Sequence, residues 1–135
     1  MPLHIQLITP EKVLIDQEAD EVVLPTTTGE LAILPHHVPL VTKVAPGIMI
    51  LKHDGKEETL AVDGGFVEVT DKSVSILADF AVHAREASAI KAEEARKAAE
   101  KAMREKKSEY DFAEAEAAFR RALLELRLTN KQRPH

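Results

Sequence analysis

The stretch SVSILADFAVHAREASAIKAEEARKAAEKAM, residues 73–103, passes from one kind of structure to another. It opens on Ser73-Val74-Ser75-Ile76-Leu77-Ala78, a short segment with the alternating period of a strand that buries one face. It closes on Ala, Glu, Lys and Arg, which are strong helix formers. The change falls near Ala84–Glu86. From Glu86 to Arg133 the chain has neither Gly nor Pro and holds twelve alanines, whereas all five glycines and six of the seven prolines precede residue 66. Charge divides at the same place. Residues 1–85 carry 6 Lys/Arg against 13 Asp/Glu, a net of −7, and residues 86–135 carry 12 against 10, a net of +2. The chain is therefore read as two domains, 1–85 and 86–135.

Towards the N-terminus, eight further apolar segments recur between turn residues: LHIQLIT, KVLID, DEVVLP, ELAIL, PLVTKV, GIMILKH, ETLAVD and GFVEV. About nine strands at this spacing point to a sandwich or flattened barrel. His53-Asp54-Gly55-Lys56 is a hairpin signal, because Asp-Gly supplies the positive φ of a tight turn. Gly64-Gly65 lacks the phosphate-loop pattern and is read as a bulge or close backbone approach.

Towards the C-terminus, Ser88 is the expected N-cap of a first helix, whose apolar stripe is read as Ile90, Ala95, Ala98, Ala99, Ala102 and Met103. The pattern lapses around Lys107-Ser108-Glu109, and Asp111 is expected to cap a second helix. Phe112, Ala115, Phe119, Ala122, Leu123 and Leu126 recur there at helical spacing. A short connection makes the pair an antiparallel hairpin. Glu93–Lys97 and Glu100–Arg104 are the expected ion pairs along the first helix. Alanine burial contributes little, so one reading is a hairpin at the low end of local stability, able to open or dock elsewhere, and the other is a permanently folded surface hairpin.

The composition removes several classes of function. The 135 residues include no cysteine, which excludes disulfides, thiolate zinc sites and thiol catalysis. A net charge of −5 opposes bulk nucleic-acid binding. The N-terminal residues show no signal-peptide pattern, and no run of 18 apolar residues occurs. The adjacent His36 and His37 point to opposite faces of an extended chain and cannot readily share a metal. No catalytic set is visible, and the helix carboxylates read as solvated faces. The reading is of a non-enzymatic protein without a metal. The basic end is the exception to the solvated faces: Arg120, Arg121, Arg127, Lys131 and Arg133 stand against Glu125 alone, a surface suited to acidic protein groups.

The densest motif is Gly29-Glu30-Leu31-Ala32-Ile33-Leu34-Pro35-His36-His37-Val38-Pro39-Leu40. It resembles the G-E-L-x-I-L-P-x-H-x-P-L segment of the epsilon subunits of bacterial F-type ATP synthases, the delta subunits of mitochondria. Val62 to Val69, Val74 to Asp79, Ile5 to Pro10 and the alanine-rich hairpin match as well, in order along the chain. The resemblance implies a flattened β-sandwich of about ten strands followed by a helical hairpin. It implies an accessory subunit of the central stalk, touching the gamma subunit and the c-subunit ring. The chain would then lie on the cytoplasmic side of the cell membrane and meet it only through the complex. Glu30, Leu31 and His37 match the family's rotor contacts, and His36 stands where many members carry glycine. Arg120, Arg121, Arg127, Lys131 and Arg133 match the basic face that meets an acidic loop of the catalytic beta subunit in the alpha/beta hexamer and restrains ATP hydrolysis.

The alternative reading is an ATP-sensing regulatory module. Members that bind ATP open the first helix with I/L-D-x-x-R-A. The corresponding residues here are Ala87, Ser88, Lys91 and Ala92, and Glu125 replaces a family arginine, while Arg121 matches one. Lys91 and Arg121 are the remaining candidates for weak phosphate attraction. Ser88 lacks the charge, Lys91 the guanidinium fork, and Glu125 repels phosphate, so ATP binding is expected to be weak or absent.

Overall fold

The computed structural model describes residues 2–105 and 107–131, and contacts divide the chain into two compact units between His83 and Ala84. In the first unit the alternating segments form eight strands: β1 (Leu3–Ile8), β2 (Val13–Ala19), β3 (Glu21–Thr26), β4 (Gly29–Ile33), β5 (Leu40–Lys43), β6 (Gly47–His53), β7 (Lys56–Val69) and β8 (Ser73–His83). The order along the sheet is β2-β1-β8-β7-β6-β3-β4, with β5 on β7. β1 runs parallel to β8, and the remaining pairings are antiparallel.

The count is eight because the segments ETLAVD and GFVEV are one strand. β7 is 14 residues long, and its two halves serve different partners. Lys56–Val62 pairs with β6, while Phe66–Val69 pairs with β5. Between them Gly64 and Gly65 take φ of +79 and +99, and the buried side passes from Leu60 and Val62 to Val67 and Val69. The β7–β8 ribbon thus belongs to both layers of a β-sandwich. One apolar cluster fills the space between them, drawing Leu3, Ile5 and Leu7 from β1, Met49 and Leu51 from β6, and Val74 and Ile76 from β8. The β6–β7 hairpin closes as expected: Asp54 and Gly55 have φ of +51 and +77, both left-handed, as a type I′ turn requires.

The second unit holds a 3-10 turn (Ala84–Glu86) and helices α1 (Ala89–Arg104) and α2 (Glu109–Lys131). Ser88 caps α1, its Oγ accepting from the Lys91 N–H at 3.2 Å. The cap of α2 is Ser108, not Asp111: Ser108 Oγ accepts the Asp111 N–H at 3.1 Å. A serine three residues ahead of an acid makes the first turn itself, and Asp111 lies inside the helix.

The buried line of α1 also differs from the expected stripe. Ala92 and Ala99 are buried, with Arg96 and Met103 half-buried between and beyond them, while Ala95, Ala98 and Ala102 are exposed and Ile90 is 76% exposed. With twelve alanines to choose from, size alone could not say which side faces the partner. On α2, Ala115 and Ala122 are buried as expected, but Leu124 and Leu128 join them and Leu123 does not.

Candidate functional site

In the sandwich, the turn between β3 and β4 sets the first group of candidate residues. Thr26 is buried, and its hydroxyl donates to the Gly29 carbonyl at 2.5 Å and accepts from the Thr28 N–H at 3.3 Å. Gly29, at φ +119, lets the chain reverse into β4 with Glu30 exposed and Leu31 half-buried. Both line a shallow groove of about 390 Å³, whose other wall is Leu40, Val41 and Thr42.

The next turn carries the histidines. Pro35 and His36 occupy its centre, His36 at φ +69, and the His37 N–H donates to the Leu34 carbonyl at 3.2 Å. Proline followed by positive φ is the pattern of a type II turn, which explains how a glycine position is kept by histidine at some strain. The His36 N–H donates to the Asp71 carbonyl at 2.9 Å, and His37 Nδ1 lies 2.7 Å from the Val38 carbonyl. His37 does not line the Glu30–Leu31 groove.

A surface that sequence reading missed adjoins that groove. Val41, Phe66 and Leu77 are 67%, 53% and 56% exposed, and together they line a second depression of about 270 Å³. Phe66 and Leu77 are register partners across β7 and β8, on the side occupied by Glu68 and Ser75. Val41 is the wall shared by both depressions. The signal was present in the alternation: Phe66 shares parity with Glu68, and Leu77 with Ser75 and Asp79, so both interrupt a polar face.

The helical unit holds the remaining candidates. Arg120 and Arg121 are half-buried and Arg127 is exposed. Arg120 and Arg127, seven residues apart, share one side of α2, whereas Arg121 lies on the neighbouring line with Glu125 one turn on. Arg133 and the side chain of Lys131 lie outside the described residues. Lys91 is exposed on the first turn of α1. Glu125 reaches across the hairpin, its Oε2 accepting the Ser88 backbone N–H at 3.0 Å. Towards the other end of the hairpin the helices leave a groove of about 590 Å³ between them, lined by Ala95, Ala98, Ala102, Ala115 and Ala118 among others.

Along α1 the expected Glu100–Arg104 pair forms at 3.1 Å, but Glu93 pairs with Arg96 at 2.6 Å in place of Lys97. Arg96 also holds Glu100 at 2.9 Å, so four residues make one chain of charge. The hydrogen bond from Arg96 is the largest influence on the Glu93 carboxyl; it outweighs the opposing desolvation and, with lesser help from the charges of Arg96 and Lys97, holds the group below its ordinary range.

Two further polar clusters stand out among the described residues of the sandwich. His83 is buried, its Nε2 lies 2.9 Å from Glu58 Oε1, and Gln17 Nε2 donates to Glu58 Oε2 at 3.0 Å, tying β2, β7 and β8. Asp20, His53 and Asp54 bring ligand-type atoms within 4.8 Å of one another at the exposed β6–β7 turn, where Asp20 already accepts the Asp54 N–H at 2.9 Å. No described helix is long and apolar enough to cross a membrane.

Two family profiles match the chain in succession. That of the ATP synthase delta/epsilon chain β-sandwich domain covers residues 2–84, and that of the delta/epsilon chain long α-helix domain covers residues 89–130. The chain is 41% identical to the ATP synthase epsilon chain of Herpetosiphon aurantiacus over 133 residues, 98% of both chains. It is 41% identical to that of Symbiobacterium thermophilum over 126 residues, 93% of this chain and 91% of the relative. Among solved structures, it superposes on a chain of the Euglena gracilis mitochondrial ATP synthase (OSCP/F1/c-ring) with a TM-score of 0.72 and 24% identity, covering 88% of this chain and 76% of that one. A chain of the Tetrahymena thermophila mitochondrial ATP synthase central stalk and c-ring gives 0.55 at 16% identity, covering 97% and 96%. At these identities the superpositions speak for the fold.

Proposed function

From the premise that the chain belongs to the ATP synthase delta/epsilon chain family, we propose that it is a non-catalytic central-stalk subunit that couples the gamma subunit to the c ring. In this reading the sandwich is the coupling part. The helices restrain ATP hydrolysis when they dock on the alpha/beta hexamer through Arg120, Arg121, Arg127, Lys131 and Arg133. The subunit lies peripherally at the cytoplasmic face of the membrane, held there by its partners.

The observation that carries the coupling role is the apolar face of Val41, Phe66 and Leu77 beside the Glu30–Leu31 groove. Apolar side chains so exposed on a strand face are characteristic of a surface that another protein covers. We assign that face to the gamma subunit, and Glu30 and Leu31 at its margin, together with His37 on the next turn, to polar loops of the c ring and gamma. Phe66→Asp should leave the sandwich folded, since Phe66 points outward, and should weaken binding to the gamma subunit about thirtyfold, the scale of a central interface residue. Unchanged affinity, measured by titrating the variant onto the gamma-containing complex, would remove the face from the interface.

We propose further that ATP is at most a weak ligand. The Glu125 carboxylate lies at the N-terminus of α1, where it already meets the positive end of the helix dipole. A phosphate approaching Lys91 and Arg121 would meet that negative charge. Calorimetry giving micromolar affinity for ATP would contradict this.

A further inference from the structure

We propose that Glu125 is a built-in latch that holds the helical hairpin closed without a ligand. The Ser88 N–H lies ahead of the α1 hydrogen-bond ladder. Ser88 spends its own Oγ on Lys91 and its carbonyl on Ala92, so neither turns back to serve its N–H. Its partner comes from 37 residues away, the Glu125 carboxylate at 3.0 Å. A charged acceptor on a backbone donor at a helix N-terminus makes a strong bond, reinforced by the helix dipole.

The rest of the seam is weak by comparison. The buried apolar residues of α1 are Ala92 and Ala99, α2 buries Ala115 and Ala122 beside Leu124 and Leu128, and towards the α1–α2 connection an open groove of about 590 Å³ runs between the helices. Small side chains offer little area to hold two helices together. The hairpin is thus fastened at the Ser88–Glu125 end and loosely packed at the other. Breaking the fastening shifts the population towards separated helices, because the latch is a contact made in one state and absent from the other.

The inference rests on the reading that the helices regulate by parting, and the test separates the two. The chain contains no cysteine, so cysteines introduced at Glu94 and Ala113, one exposed residue on each helix, can carry distance labels in the full-length protein. Relative to wild type, Glu125→Ala should raise the separated population, and the amide exchange rate at Ser88, by about tenfold, the scale of a lost hydrogen bond to a charged group. Glu125→Gln keeps an acceptor oxygen without the charge and should fall between. Glu116→Ala removes the same charge from an exposed site on α2 and should change neither readout. Glu125→Ala behaving like Glu116→Ala in both readouts would overturn the latch. In the reassembled catalytic complex, Glu125→Ala should slow ATP hydrolysis. Parting of the helices with hydrolysis unchanged would keep the latch and contradict the inhibitory reading instead.

Discussion

Gly65 is the residue on which the sandwich turns from one layer to the other. Its φ of +99 is open to glycine, and a Cβ built there would collide with the Leu77 carbonyl oxygen and come within 2.9 Å of Ala78 Cα. Both obstacles are backbone of the paired strand β8, so they cannot move aside as a flexible side chain would. At Gly64 the obstacle is the Asp79 carboxylate, a side chain that can swing away. Gly65→Ala should therefore destabilise the sandwich by about 3 kcal/mol or more, lowering its thermal midpoint by roughly 10–20 °C; Gly64→Ala should cost less. Equal, small shifts would show that the ribbon bends elsewhere. The same pair of residues shows how far sequence reading reached. Of the two readings of the adjacent glycines, the close backbone approach is the one that holds, for the β7–β8 register runs through them unshifted; they also led the flanking segments to be counted as separate strands. Alternation restarts with the other parity after Gly65, which reads as a new strand unless the backbone is seen to continue. The outward Phe66 and Leu77 were hidden for a related reason: large apolar residues in strands are assumed to face inward.

At the scale of the element, α1 carries a continuous charge network along its surface. The Glu93–Arg96–Glu100–Arg104 chain joins successive turns at 2.6 to 3.1 Å. Arg96 holds the Glu93 carboxyl below its ordinary range, chiefly through their hydrogen bond. The sign follows directly. A group whose pKa is depressed on folding contributes stability that is fully present above its unfolded value and is lost as pH falls through the folded one. Helix content of the C-terminal residues should thus hold from neutral pH to the upper carboxylate range and fall below it, and added salt should weaken the contribution because these side chains face water. Circular dichroism of full-length chain, wild type against Arg96→Gln, checks this: the wild type should lose more helix on acidification than the variant, and equal losses would exclude the network as the cause. The helices themselves were legible, since Gly and Pro are absent across them and Ser88 caps the first. Which face is buried was not, because an alanine looks the same on either side of a helix, and the choice rests on tertiary contacts such as Glu125 to Ser88.

For the whole molecule, two units of unlike chemistry share a chain of 135 residues. The sandwich has one continuous aliphatic core and carries its distinctive surface on β5, β7 and β8. The hairpin buries four alanines with Leu124 and Leu128, and a hydrogen bond from Ser88 to Glu125 spans it. A firm unit suits permanent attachment to a rotating partner, and a marginal unit suits a part that changes position. Under the proposed function the two units have separate roles, coupling in the first and restraint of hydrolysis in the second. The measurement that tests it most directly is ATP hydrolysis by the cognate catalytic complex, reassembled with the full-length chain or with a chain ending at Arg85. Both chains should bind the complex equally well, with faster hydrolysis in the presence of the shortened one. Equal rates at equal occupancy would contradict the account and leave the helices without a restraining role.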